Sequence, residues 1–206
     1  LGRMKRSAPV STPSDPRAQP RAVGEVRIIG GLWKRTRIPV ADRPGLRPTP
    51  DRVRETLFNW LGQDLTGWTC VDVFAGTGAL GLEAASRGAA RVHLVESDRA
   101  QVAQIRALQQ RLSATALEVT CGDGLQVLAR LPAACVDLVF LDPPFDANLF
   151  DKALVASARV LKPDGWLYLE APTAWDDAAL QPLGYNVTRH LKAGAVHAHL
   201  LKRLTA

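Results

Sequence analysis

Cysteine is scarce in this chain: three in 206 residues, with four histidines, one methionine, two tyrosines and only 6% aromatic residues. Cys70, Cys121 and Cys135 are far apart and form no CxxC pair, which excludes a disulfide framework of the small secreted kind. Two lie in strand-like segments and Cys121 follows one, so all three are expected as buried, reduced thiols. The histidines do not cluster with them, and no metal site is expected. No run of ~18 apolar residues is available for a membrane span. The N-terminus has no apolar stretch behind its charges and does not read as a secretory signal, so a cytoplasmic setting is expected. Acid is scarce in one region only. Residues 1–62 hold 13 Lys/Arg against 5 Asp/Glu, whereas the remainder holds 13 against 15. A localised basic region on a near-neutral body is the footprint of a polyanion binder, although a solvated basic tail would look the same.

At 47% hydrophobic, the chain can bury one full core and carry an appendage. Residues 1–24 are rich in Pro, Ser, Ala and Arg without apolar periodicity, and are expected to be disordered in isolation. In "VRIIGGLWKRTRIPV", residues 26–40, two β-rich runs flank Gly30-Gly31 and read as a hairpin or bulged strand pair. Lys34, Arg35 and Arg37 beside Trp33 suit phosphate contacts plus base stacking; the plainer alternative makes Trp33 the core residue of a small hairpin. "RPTPDRVRETLFNWL", residues 47–61, reads as a helix with Thr49 as N-cap, Pro50 at N1 and Asp51 at the positive end of the dipole. Its apolar face is Val53, Leu57, Trp60 and Leu61, with Arg52 and Arg54 directed elsewhere.

From residue 69 strand and helix signals alternate. Near-continuous apolar strands in β-α-β order mean a parallel sheet covered on both faces. The final strand-like segments, "YNVTRHLKAG" and "AVHAHLLKR", read as an antiparallel pair.

Three motifs fall at strand ends. In "DVFAGTGALG", residues 72–81, Gly76, Gly78 and Gly81 have G-x-G-x-x-G spacing between a strand and a helix. Glu96, 20 residues after Gly76, ends the next strand, where a carboxylate can accept from both ribose hydroxyls. A dinucleotide and S-adenosylmethionine both satisfy this pattern. "CGD", residues 121–123, ends the third strand; Asp123 can accept from an adenine amino group or simply cap the next helix. The fourth strand ends "DPPF", residues 142–145. Proline fixes φ, lacks an N–H and pushes its predecessor towards extended geometry. Asp142 and the Pro143 carbonyl therefore become two acceptors in a preset arrangement, suited to the two hydrogens of an exocyclic amine, and Phe145 can offer a stacking face. Two acceptors on such an amine favour a pyramidal nitrogen and offset the positive charge that develops on alkylation. The alternative is a loop that merely ends a strand.

With these motifs placed, the chain resembles class I S-adenosylmethionine-dependent methyltransferases that modify amino groups. More closely it is similar to the RsmD family, the bacterial 16S rRNA guanine-N2 methyltransferases. The likeness runs from about residue 25 to the C-terminus: "RIIGG-W", "GLRPTPDRVRETLFNWL", "FAGTGALGLEA-SR" and "DPPF" occur in that family's order and spacing. Thr77 stands where serine is common and keeps the hydroxyl. The resemblance implies an α/β, Rossmann-like class I methyltransferase sheet, mostly parallel, of seven strands with an antiparallel C-terminal strand. It implies a division into a tail (1–24), an N-terminal hairpin and helix that bind RNA and close over the cofactor (25–62), and a catalytic domain (63–206).

The resemblance also implies roles. Phe74, Ala75, Gly76, Thr77 and Gly78 would hold the methionine part of S-adenosylmethionine. Glu96 with Ser97 would hold its ribose, and Gly122, Asp123 and Gly124 its adenine end. Asp142, Pro143, Pro144 and Phe145 would form the catalytic amine pocket, with Asp142 also beside the cofactor. Arg47 and Thr49 would close over the cofactor. Trp33, Lys34, Arg35 and Arg37 would bind 16S rRNA, within an assembling small ribosomal subunit, with the protein acting as a monomer. An adenine-N6 or other nucleic-acid amino-methyltransferase is the nearest rival, since "DPPF" does not separate guanine from adenine. An NAD-dependent oxidoreductase explains the glycines and Glu96 but leaves "DPPF" without a purpose. A non-catalytic RNA-binding protein explains the basic third alone.

Overall fold

The computed structural model describes residues 25–41, 48–144 and 148–205. The tail, Arg47 and Phe145 lie outside the described residues. The elements in chain order are β1 (Glu25–Arg27), β2 (Arg37–Pro39), α1 (Asp51–Trp60), β3 (Thr69–Asp72), α2 (Ala79–Ser86), β4 (Arg91–Glu96), α3 (Arg99–Leu112) and β5 (Leu117–Cys121). They continue with α4 (Gly124–Arg130), β6 (Val136–Leu141), α5 (Asn148–Val160), β7 (Leu161–Ala171), the short α6 (Asp177–Leu180), β8 (Tyr185–Ala193) and β9 (Val196–Arg203).

β3 to β9 form one seven-stranded sheet in the order β5-β4-β3-β6-β7-β9-β8. β3 to β7 pair in parallel, and β9 lies antiparallel between β7 and β8. The expected mostly parallel seven-stranded sheet is therefore present. Both faces of the sheet centre are covered, which is why β3, β6 and the second half of β7 are mostly apolar and buried, whereas the edge strands β5 and β8 are polar and half-exposed. In β6, Leu138 and Phe140 join the cluster under α1, α2 and α3. Val139 and Leu141 join the opposite cluster under α4 and α5.

Between β6 and β7 the register jumps: Val136 lies opposite Leu161, but Leu138 lies opposite Trp166. Residues 162–165, "KPDG", loop out of the ladder there, with Asp164 at φ +61. Three local readings change. α1 has Pro50, not Thr49, at its N-cap and no side-chain cap. Thr49 is drawn away because its hydroxyl donates to Glu170 Oε2 at 3.2 Å. Arg54, expected on an outward face, is fully buried in α1 beside Val53, Leu57 and Phe58. Of the cysteines only Cys70 is buried; Cys121 is exposed and Cys135 half-buried.

The reason for Arg54 lies in α2. Glu83, also buried, accepts from Arg54 Nη1 (3.3 Å) and Arg87 Nε (3.0 Å), and from the backbone N–H groups of Ile29 (2.9 Å) and Gly30 (3.0 Å). Arg54 also donates to the carbonyls of Arg27 (2.8 Å) and Thr49 (3.2 Å) and to Asp51. One carboxylate thus fastens the β1–β2 hairpin to α1 and α2. Gly30 and Gly31 serve this contact and not a two-residue turn: Leu32 N–H bonds the Ser86 carbonyl at 2.7 Å, and a Cβ on Gly31 (φ +75) would meet that oxygen at 1.9 Å.

Candidate active site

The parallel strands deliver their carboxyl ends to one rim, where open α/β sheets hold ligands. A cleft of about 980 Å³ opens there, between the β3–α2 loop, the ends of β4 to β7, the start of α1 and the β8–β9 turn. Of the expected residues, Phe74, Gly76, Glu96, Ser97, Gly122, Asp123, Gly124, Asp142, Pro143 and Pro144 all line it. Thr49, Ala75 and Thr77 line an adjoining recess that Asp142 shares. Gly78 is the N-cap of α2 at φ +83, a conformation that turns the chain from β3 into the helix. Gly81 has a different use: a Cβ there would meet Leu94 Cδ2 at 2.7 Å, so it sets the approach of α2 to β4.

Glu96 first shapes the loop. Its Oε2 accepts from Gly76 N–H at 2.7 Å and its Oε1 from Asp98 N–H at 3.0 Å. Each oxygen keeps a second lone pair, which is what a ribose diol needs. Asp123 caps α4 through Leu125 N–H at 2.9 Å while also lining the cleft, so its two sequence readings are compatible.

Deeper in, the sheet register places acids side by side. Phe140 pairs with Asp72 on β3 and with Tyr168 on β7. Two residues further along their strands, Asp142 and Glu170 are brought together on the face covered by α1. Glu170 accepts from Thr49 Oγ1 and, at 3.1 Å, from the Tyr168 hydroxyl, and its carboxyl is hydrogen-bonded to that of Asp142. Burial, then the charge and hydrogen bond of Glu170, then the charge of Asp72, push the Asp142 carboxyl well above the usual carboxylate range. Burial, then the charges of Glu170 and Asp142 and the hydrogen bond to Glu170, raise the Tyr168 phenol, which therefore stays a donor.

Asp72 is 1% exposed. The N–H groups of Gly81 and Phe74 favour its charged form electrostatically, yet neither oxygen has a partner in hydrogen-bond geometry among the described residues. Burial, reinforced by the charge of Glu96, lifts it to about 7. The orphaned Asp72 carboxyl and the four acids that line the cleft, Glu96, Asp123, Asp142 and Glu170, suit a ligand that carries positive charge and hydroxyls.

Sequence reading missed Asp72, Tyr168 and Glu170. A signal existed: β3, β4, β6 and β7 all reach the rim with an acid (Asp72, Glu96, Asp142, Glu170), a pattern no core packing requires. The basic hairpin residues sit elsewhere. Trp33 is half-buried, its side chain packed against the core and its backbone N–H donating to Ser86 Oγ at 2.9 Å. Lys34, Arg35 and Arg37 are exposed, Arg37 beside Glu25 at 3.5 Å. They lie at the C-terminal end of α2, about 12 Å along that helix from the glycine loop.

This sheet order, with a glycine loop after β3 and acids at the strand ends, is that of the class I methyltransferase fold. A solved S-adenosylmethionine-dependent methyltransferase from Aquifex aeolicus superposes with a TM-score of 0.55 over 76% of this chain and 94% of that one; at 20% identity the likeness concerns the fold alone. The solved Escherichia coli protein yhhF, described as a candidate methyltransferase, is 38% identical with a TM-score of 0.75, covering 89% of this chain and 100% of that one.

The family described as Conserved hypothetical protein 95 matches residues 26–202. Ribosomal RNA small subunit methyltransferase D of Escherichia coli K12 is 40% identical over 186 residues, 87% of this chain and 91% of that protein. The chain belongs to this methyltransferase family, the RsmD family.

Proposed function

We propose that this protein transfers a methyl group from S-adenosylmethionine to the exocyclic N2 amine of a guanine in 16S rRNA. The observation that carries the proposal is Asp142, half-buried just beyond the end of β6 and followed by two prolines, facing the same cleft as the glycine loop and Glu96. When bound, S-adenosylmethionine supplies a methyl group already activated by its sulfonium. The protein's task is then chiefly to hold the amine in line and to accommodate the charge that develops on it. Asp142 and the Pro143 carbonyl would accept from the two amine hydrogens, and Pro144 and Phe145 would complete the pocket. Glu96 and Ser97 would hold the ribose, Gly122, Asp123 and Gly124 the adenine end, and residues 74–78 the methionine part. The orphaned Asp72 carboxyl adds negative charge beneath the loop, which favours a cationic cofactor.

Arg47 and Thr49 would close the cofactor side. The division into a hairpin-and-helix unit (25–62) that grips RNA and a catalytic domain (63–206) belongs to the same proposal, as do a monomeric state and a cytoplasmic setting. No helix among the described residues is long and apolar enough to cross a membrane. The rRNA part of the reading is supported by the relatives named Ribosomal RNA small subunit methyltransferase D. The test is transfer of labelled methyl from S-adenosylmethionine to small subunits from cells lacking the enzyme, followed by nucleoside analysis. N2-methylguanosine is the expected product; N6-methyladenosine, or no transfer, would overturn the reading.

A further inference from the structure

The charge count of the sequence hides a second basic element. From residue 178 to the C-terminus there is no Asp or Glu, yet Arg189, Lys192, Lys202 and Arg203 all fall in β8 and β9. Lys202 and Arg203 are engaged at the end away from the cleft, Lys202 with Asp164 (3.9 Å) and the Trp166 ring, Arg203 with the Leu161 carbonyl. Arg189 and Lys192, both exposed on the edge strand β8, have no ion-pair partner among the described residues. The turn joining β8 and β9 is part of the cleft mouth: Ala195 and Val196 line it, and His197 pairs across the ladder with Ala171, next to the cleft residue Pro172.

On the face that carries Lys192, three histidines meet. His190 Nε2 and His197 Nδ1 are 2.8 Å apart. Their ring centroids are 5.1 Å apart with 15° between the planes. That separation is what one N···N hydrogen bond plus two imidazole radii add up to. The rings therefore lie side by side in nearly one plane, edge to edge and not one over the other. Together they present a flat surface about as broad as a purine.

His199, the cross-strand partner of His190, packs beside the platform, its centroid 4.9 Å from that of His190. Its own nitrogens are committed: Nε2 accepts from Trp175 N–H (2.9 Å) and Nδ1 donates to the Leu169 carbonyl (3.1 Å). This keeps His199 a neutral buried prop. Metal binding is not what gathers these rings, since His199 has no nitrogen to spare and no metal-holding group of three exists among the described residues.

We propose that the His190–His197 platform, with Lys192, is the surface that grips single-stranded RNA at the cleft mouth, stacking a base that flanks the methylated nucleotide. The inference rests on the reading of the cleft as an RNA-methylating site. Three physical points favour RNA as the occupant. The cleft interior is acidic (Glu96, Asp123, Asp142, Glu170), so phosphates must be held at its rim and not inside. The β8–β9 element offers cations with no acid among them. A flat aromatic surface stacks any base, and splayed-out bases stacked on histidine or larger rings are the usual mode of single-strand recognition. The N-terminal hairpin, at the far end of α2, would then hold a more distant part of the substrate.

The experiment compares wild type with the double variant His190→Ala/His197→Ala, with Lys192→Ala, and with His190→Phe and His190→Lys. The readouts are RNA affinity, methyl transfer to small subunits and S-adenosylmethionine affinity. The alanine pair is expected to bind RNA roughly 5- to 100-fold more weakly, the range for loss of one stacked base. Cofactor affinity should be unchanged, which also reports that the variant is folded. His190→Phe should keep most of the affinity and His190→Lys should not, because a flat ring is required and not a charge. Lys192→Ala should reduce the slope of log affinity against log salt by about 0.7, one single-strand phosphate contact. If wild type methylates small subunits and the alanine pair does so with unchanged kcat and KM, the platform is overturned while the activity stands. Unchanged RNA affinity with impaired transfer to intact subunits would assign the surface to a ribosomal protein and also overturn it. If wild type neither binds nor methylates RNA, the platform falls with the activity.

Discussion

Two groups of acids lie on the same face of the sheet, one in α2 and one at the rim, and they are built oppositely. Around Glu83 every acceptor is used: two backbone N–H groups, Arg54 and Arg87 surround one carboxylate. Burial lowers the Arg54 guanidinium and the charges of Glu83 and Asp51 restore part of the loss, so cation and anion are kept together as charges. At the rim, Asp72 has no geometric partner among the described residues, and Asp142 and Glu170 face each other across a strand pair. Here burial and like charge push carboxyls up and not down. A buried carboxylate that is fully hydrogen-bonded is a structural fastener. Carboxyls crowded together without cations are costly to the empty protein, and such groups persist where a ligand completes them.

The contrast predicts opposite consequences for loss of an acid. Glu83→Ala leaves Arg54 charged, buried and without its main partner, which is expected to cost about 3–5 kcal/mol of stability. It should loosen the hairpin while the activity of each folded molecule is retained; chemical denaturation and specific activity per folded molecule would check this. A stability within 1 kcal/mol of wild type would show that Glu83 is no fastener. Asp142→Ala should do the reverse. Methyl transfer is expected to fall by about 10²- to 10³-fold, the usual cost of removing one preorganised partner of a developing charge. Stability should hold or rise, because a crowded carboxyl has been removed, and cofactor binding measured by calorimetry should persist. Activity within tenfold of wild type would remove the amine-acceptor role. Glu96→Ala is expected to weaken S-adenosylmethionine binding by ~1–3 kcal/mol, since a charge-assisted hydrogen bond is lost and the Gly76 loop loses its anchor. Undiminished affinity would make Glu96 purely a loop residue.

The same contrast explains what the sequence could disclose. The sheet was legible because both of its faces are buried, so β3, β4, β6 and β7 read as apolar runs between glycine- and acid-marked ends. Glu96, Asp123 and Asp142 were legible because each follows such a run. Glu83 and Arg54 were not, because a charged residue on a helix ordinarily faces water; only the three-dimensional approach of β1, α1 and α2 makes them partners. Thr49 looked like a cap because a threonine before a proline and an acid usually is one, and a buried acceptor on β7, 121 residues away, outcompetes the local N–H groups. Glu170 and Tyr168 lay within a strand whose apolar character hid them. The histidine platform escaped for a related reason: His190 and His197 are seven residues apart with a turn between them, and strand pairing brings their rings edge to edge.

The smallest expected effect bears on the orphaned acid alone. Asp72 titrates near 7 in the cofactor-free protein because burial and the Glu96 charge oppose ionisation. A folded-state value raised above the ordinary 3.8 means that the empty protein holds this proton more tightly than the unfolded chain does. Its contribution to stability is therefore present at low pH and is lost as pH rises from about 4 through 7. A cationic cofactor prefers the carboxylate, so the sign for binding is opposite: affinity should rise with pH until Asp72 is ionised, then level off. Between pH 6 and pH 8 the gain is limited to about tenfold, one unit of titration below the folded-state value. Asp72→Asn cannot ionise, and comparing the two proteins at each pH removes the cofactor's own titration. Calorimetry should find that wild type gains affinity relative to Asp72→Asn on going from pH 6 to pH 8. Thermal melts without cofactor should find that it loses stability relative to the variant over the interval below pH 7. A constant ratio of affinities would mean that Asp72 does not sense the bound cation, and the rim acids would then be completed by something other than the cofactor's charge.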